Sequence, residues 1–196
     1  MFIELTDHLR CPADHAEAYL VLLPSRVEQR DVIAGHLGCP VCGWSTELSN
    51  GQADFGGGTP ANGRTALTGE AVEAFLGLAG PGGYVALVGA ATSLIGETAG
   101  LMQGTRLVAV NPPAAAEASS ASVLRGGLIP LKSSSMRGTV LGADVASKPH
   151  WVGEAVRVTL PGLRIVGEGP APDLPELEIL ASGGGAWVGR KASKRI

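Results

Sequence analysis

Tyr84–Gly96, YVALVGAATSLIG, is the stretch whose reading decides the fold. An apolar, strand-forming run ends at Gly89, turns through small residues and leads into a helix, which is how a parallel α/β unit begins. In such sheets the turn that follows a strand lies at the ligand-binding edge. Immediately upstream, Leu67, Ala71, Val72, Phe75, Leu76 and Leu78 recur at three- and four-residue steps. They predict a helix with Thr68 as N-cap and Gly80 as the C′ residue. Downstream, the pattern predicts a helix over 94–102, a strand over 106–111, a short helix over 114–124 and strands over 127–131 and 139–145. A helix over 150–160, a strand over 163–169 and an antiparallel pair within 176–192 complete it. This alternation predicts an α/β fold: a mostly parallel, Rossmann-like sheet with helices on both faces.

Composition narrows the field. In 196 residues, 45% are hydrophobic and 17% charged, which is a globular rather than a disordered balance. Aromatics at 4% and a net charge of −3 give no base-stacking surface and no polyanion-binding field. No apolar run reaches the roughly 18 residues of a membrane span. MFIELTDHLR carries acids early and has no long apolar centre, so a secretory signal is not expected and a cytoplasmic location is.

The first 55 residues read as a separate small β module. FIEL is a strand candidate, and 18–24 and 31–37 are two more, joined by a polar turn over 25–30. The second of these runs directly into GCPVCG. All three cysteines of the chain lie in this module. Cys39 and Cys42 have the CxxC spacing that aims two thiolates at one point, and Cys11 precedes a proline as Cys39 does. A tetrahedral zinc site needs a fourth ligand. His15 is the candidate, with Asp14 and His36 as competitors. Four protein ligands leave no open position for substrate, so the zinc would be structural. A redox pair is the competing reading of CxxC, but such a pair opens a helix, whereas Gly43 and a polar run follow here. GGGTPANGR, 56–64, reads as a flexible linker. Charge shifts across it, from 3 Lys+Arg against 8 Asp+Glu in the first 58 residues to 12 against 10 in the rest. The expected organisation is a module over 1–55, a linker over 56–64 and an α/β domain over 65–196.

LRCPADH, a strand pair and LGCPVCGWSTELSNGQADF together resemble the small zinc-ribbon proteins that bind and activate methyltransferases. The resemblance implies a protein partner, either a methyltransferase or a translation-related component. From residue 65 onward, the element order with a hairpin last is similar to class I S-adenosylmethionine-dependent methyltransferases. That resemblance implies a cofactor cradle at Gly89, Ala91 and Asn111. It also implies an acid ahead of the first glycine, a GxGxG turn and an acid ending the second strand. Leu87, Gly89-Ala90-Ala91-Thr92-Ser93 and Asn111 stand at those places. Alanine adds a β-carbon where the ligand should approach. Two charge-assisted hydrogen bonds at roughly 1.5–3 kcal/mol each are missing, about a hundredfold or more in affinity. The expectation is a zinc-binding protein with a degenerate methyltransferase-like domain, acting as a non-catalytic partner-binding or regulatory subunit. The alternative is an active methyltransferase with an atypical cofactor turn, acting on RNA. Asp144 is the one acid placed at a strand end, while His150 and Trp151 read as a helix start and an amphipathic anchor. The cationic GRKASKRI end reads as a solvated tail.

Overall fold

A computed structural model of the protein describes residues 1–114 and 120–192. A 3₁₀ turn at Ile3–His8 opens the chain, where sequence reading expects a strand; only Phe2 pairs strand-wise, bridging to Asp31. Four strands follow: β1 (Val21–Glu28), β2 (Asp31–Gly38), β3 (Ser45–Ser49) and β4 (Gln52–Asp54). β1 and β2 are longer than predicted and meet at a tight turn through Gln29, whose φ is +54°. The polar run after the cysteine knuckle forms β3 and β4, joined at Asn50-Gly51.

The remaining elements are α1 (Gly69–Leu76), β5 (Tyr84–Val88), α2 (Ile95–Leu101), β6 (Arg106–Val110), β7 (Ala121–Arg125) and β8 (Gly138–Leu141). They continue with α3 (Ala143–Ala146), α4 (Pro149–Val158), β9 (Arg164–Glu168), β10 (Leu177–Gly183) and β11 (Ala186–Lys191). Thr68 caps α1 as expected, its hydroxyl accepting from Ala71 N–H at 3.2 Å. The helix stops three residues before the predicted Gly80, at Gly77 in the left-handed region (φ +55°). Around the third strand the structure departs from the sequence expectation in two places. Residues 121–125 are a strand rather than the end of a helix, with three buried positions in succession, while 115–119 lie outside the described residues. Residues 127–131 are a loop whose Leu131 only bridges to Leu9. The predicted fourth strand ends at Leu141, because Gly142 starts a helical turn.

Among the described residues the strands form one sheet, in the order β1-β2-β3-β4-β7-β6-β5-β8-β9-β11-β10. From β4 to β9 the sheet has parallel pairs, and β11 runs antiparallel to both β9 and β10. β5 is buried throughout, as a central parallel strand should be. Its side chains alternate between two cores. Val85 and Leu87 pack with Val72 and Leu76 of α1 and with Leu94. Ala86 and Val88 pack with Val152, Ala155 and Val156 of α4 on the other face. Helices therefore cover both faces, as predicted. No helix among the described residues is long and apolar enough to cross a membrane.

The N-terminal ribbon is continuous with this sheet, since β4 pairs in parallel with β7 over Gln52–Asp54. Leu5, Leu9, Cys11, Leu37, Cys39 and Leu48 belong to the same core cluster as Val108, Val110, Leu124 and Ile129. The loop after β7 is fixed by a partly buried ion pair. Arg157 donates to the Leu131 and Ile129 carbonyls and to Glu154, each at 2.7 Å, and Glu154 accepts from Ile129 N–H at 2.9 Å. Burial raises the Glu154 carboxyl, but the hydrogen bond and charge of Arg157 and the Ile129 N–H outweigh it, and its pKa falls below the usual 4.5. A carboxyl depressed in the folded state contributes stability above its unfolded pKa and loses it as pH falls through the folded value. Glu154→Gln is expected to cost about 1–3 kcal/mol at pH 7. The difference from wild type should shrink below about pH 4. Urea denaturation across pH checks this, and a pH-independent difference would contradict it.

Candidate metal centre and strand-end cavity

Two loops build the metal centre. Cys11 follows the first 3₁₀ turn, and its N–H donates to the Ala18 carbonyl, closing the loop that carries His15. Cys39 directly follows β2 and Cys42 lies on the same knuckle. The knuckle is pinned by Cys39 N–H to Trp44 O at 2.8 Å and Gly43 N–H to Cys39 O at 3.0 Å. Gly43 has φ +75°, which disfavours a side chain there. One ligand atom from each of Cys11, His15, Cys39 and Cys42 falls in a group spanning at most 4.8 Å. Asp14 and His36, both exposed, are outside this group.

The geometry fits a tetrahedral ion. Zinc bond lengths imply edges of about 3.8 Å between sulfurs and about 3.6 Å between sulfur and nitrogen. Cys11 Sγ lies 3.6 Å from Cys42 Sγ, and Cys39 Sγ lies 3.5 Å from His15 Nε2. His15 Nδ1 is 2.7 Å from the Ala16 carbonyl. A carbonyl only accepts, so Nδ1 carries the proton and Nε2 turns its lone pair to the sulfurs, as a ligating imidazole requires. Proton affinities within the group are unequal. Burial pushes the Cys11 thiol up to about 11. Burial also opposes ionisation of Cys39, but the N–H groups of Cys42 and Val41 hold it down to about 6. The Ala16 carbonyl and then the Cys42 sulfur raise His15 above its ordinary value. A cation entering here would displace these protons, so its affinity should rise with pH. The group could hold a metal ion, and its donor set is that of zinc.

The second feature lies at the carboxyl ends of the parallel strands. The chain steps from β5 out to β6 and β7, then returns to the other side of β5 as β8. A strand-order reversal of this kind opens a crevice. A cavity of about 320 Å³ occupies it, reached by Gly89, Asn111, Gly127, Asp144, Lys148 and Trp151. Gly89 has φ +64°, and a β-carbon there would lie 2.5 Å from Asp144 Oδ1. That oxygen instead accepts from Ala90 N–H at 2.8 Å.

The three cradle residues expected from the sequence fare differently. Gly89 lines the cavity. Ala91 is fully buried in the core beside α1 rather than at the cavity. Its N–H lies against Gly142, where a β-carbon would come within 2.5 Å. Asn111 reaches the cavity, but its amide is spent on one backbone unit, donating to Gly126 O at 2.8 Å and accepting from Gly126 N–H at 2.9 Å. Its carbonyl accepts from Ala61 N–H at 3.0 Å. The 56–64 segment, expected to be a flexible linker, is a strap along the strand ends. Gly127 N–H donates to Gly56 O at 2.8 Å, and Glu168 takes the Thr65 hydroxyl at 2.6 Å and Ala66 N–H at 2.9 Å. The glycines serve close approach: a β-carbon at Gly58 would lie 2.6 Å from both Asn111 Oδ1 and Gly126 N. Thr59, Pro60 and Asn62 of the strap wall the cavity, a role no periodicity in the sequence signals. His150 donates to Gly127 O at 2.9 Å and meets Trp151 edge-on.

No family model matches the chain, and no curated protein matches it. A solved structure, that of the antibiotic-resistance methyltransferase Kmr, is similar to 69% of this chain and 98% of its own. The TM-score is 0.42 and the identity 14%.

Proposed function

We propose that this is a zinc-binding protein whose methyltransferase-like half has lost S-adenosylmethionine, and that it acts as a non-catalytic, partner-binding regulatory subunit. The observation that carries the reading is the state of Asn111. Asn111, at the position where the resemblance implies a ribose-gripping acid, has both side-chain amide groups engaged by Gly126 and its backbone carbonyl by the strap. The ionisable groups lining the cavity are Asp144 and Lys148, and Leu87 at the expected acid position is fully buried. Zinc at Cys11, His15, Cys39 and Cys42 would hold the ribbon and take no part in group transfer.

A protein partner is supported by exposed apolar side chains of the N-terminal segment. Tyr19, Val21, Leu23, Val27 and Val41 of the N-terminal segment are each exposed, Leu23 and Val41 at 66% and 67%. Exposed apolar patches mark interaction surfaces. The resemblance of the ribbon proposes another methyltransferase or a translation-related protein as that partner.

Calorimetric titration of the zinc-loaded protein with S-adenosylmethionine and S-adenosylhomocysteine tests the loss. The expected result is no saturable heat up to millimolar ligand. Micromolar binding would overturn the reading in favour of an active methyltransferase with an atypical turn, to be tried on RNA.

A further inference from the structure

We propose that the metal centre is also an oxidation site, at which a peroxide joins Cys42 to Cys11 as a disulfide and expels the ion. The inference rests on the zinc reading of Cys11, His15, Cys39 and Cys42. The three sulfurs of the group differ in access. Cys11 and Cys39 are each 3% exposed, whereas Cys42 is exposed. An oxidant arriving from water meets Cys42 first. Distance then sets the second sulfur. Cys11 Sγ lies 3.6 Å from Cys42 Sγ, a contact between segments 31 residues apart. Cys39 Sγ instead lies 3.5 Å from His15 Nε2, and the Cys39 carbonyl accepts from Gly43 N–H. Disulfide sulfurs sit about 2.05 Å apart, so Cys11 and Cys42 must close a gap of about 1.5 Å. Both residues lie on loops rather than strands, which leaves that movement open to them.

The chemistry needs peroxide and the two sulfurs. Zinc holds its cysteine ligands as thiolates, the nucleophilic form. The Cys42 thiolate attacks one peroxide oxygen; the O–O bond breaks, a sulfenic acid forms and hydroxide leaves. The Cys11 thiolate then attacks the Cys42 sulfur; the S–S bond forms, the S–O bond breaks and a second hydroxide leaves. Two electrons have passed from the sulfur pair to the peroxide. Cys39 and His15 remain as ligands, too few for a tetrahedral site. The ion ties the loop carrying His15 to the end of β2, and Tyr19, Val21, Leu23 and Val27 lie in the chain between these points. Its loss therefore loosens the exposed apolar segment proposed to meet a partner, and the subunit becomes responsive to oxidant.

The test is to treat the full-length, zinc-loaded protein with hydrogen peroxide, follow zinc release with a chromophoric chelator and map the cysteines by mass spectrometry. Release of the bound zinc is expected together with a mass loss of two hydrogens. The peptide map should show Cys11 joined to Cys42 and Cys39 free for alkylation. Dithiothreitol with added zinc should restore the starting protein, since a disulfide is reducible and sulfinic acid is not. Cys42→His keeps a zinc ligand but removes the exposed sulfur, and should release the ion at least about tenfold more slowly. The wild-type map decides the matter even where that variant binds zinc poorly. Zinc retained under peroxide, a Cys39–Cys42 bond, or release through sulfinic acid alone would each overturn this inference and leave the zinc reading standing. A purified protein with no zinc before peroxide is added would defeat the zinc reading, and this inference with it.

Discussion

Removing zinc with a chelator is expected to lower the melting temperature by about 10 °C or more and to unfold the ribbon. β1 is almost wholly exposed, so the ribbon has little core of its own. Its buried residues include two of the three sulfurs, Cys11 and Cys39, each 3% exposed and packed in the main cluster. Structural zinc contributes on the order of 10 kcal/mol to small modules. At about 2–4 °C per kcal/mol for a chain of this size, loss of even a few kcal/mol gives the stated fall. Because β4 pairs with β7, the damage should travel into the α/β half. Hydrogen exchange should show Val123–Arg125 and the strap losing protection together with the ribbon. Scanning calorimetry with and without chelator checks the temperature, and an unchanged transition would contradict the account. Serine at Cys39 is expected to have the same effect as chelation.

The second large effect is expected at the far end of the sheet. Trp187 on β11 is 1% exposed, and its ring lies on Gly167 of β9, where a β-carbon would sit 2.3 Å from the indole. Trp187→Ala should cost about 3–5 kcal/mol through lost burial and a cavity that the two paired strands cannot close. Trp187→Phe should cost markedly less, since the buried indole N–H has no hydrogen-bond partner to lose. Gly167→Ala should be destabilising alone, by about 1–3 kcal/mol, because the ring must move. In the Trp187→Ala background that cost should largely vanish, a coupling that a double-mutant cycle in urea measures directly. Additive costs would show that the ring and the glycine do not meet.

The α/β half was legible wherever burial wrote itself into sequence. YVALV is buried on both faces and reads as an apolar run, and α4 shows a helical stripe. The paired knuckles were legible because ligand spacing is local: Cys39 and Cys42 share one turn, and Cys11 and His15 one short loop. What stayed hidden depends on contacts between distant segments. Residues 121–125 lack a strong strand signature and become a strand because β6 and β4 flank them. FIEL has strand propensity, yet its backbone curls so that Leu5 can enter the core. The strap is ambiguous in sequence because glycines permit both disorder and close approach; only the positions of Asn111 and Gly126 distinguish the two. For the same reason the role of Asn111 could not be read from the side chain alone.

The account rests first on the metal centre, and zinc-edge X-ray absorption on the purified protein, with metal quantification, tests it most directly. The expected result is one zinc per chain with three sulfurs at about 2.3 Å and one nitrogen at about 2.0–2.1 Å, the nitrogen lost in His15→Ala. Absence of bound zinc, or an oxygen-rich shell unaffected by that substitution, would contradict the assignment of Cys11, His15, Cys39 and Cys42.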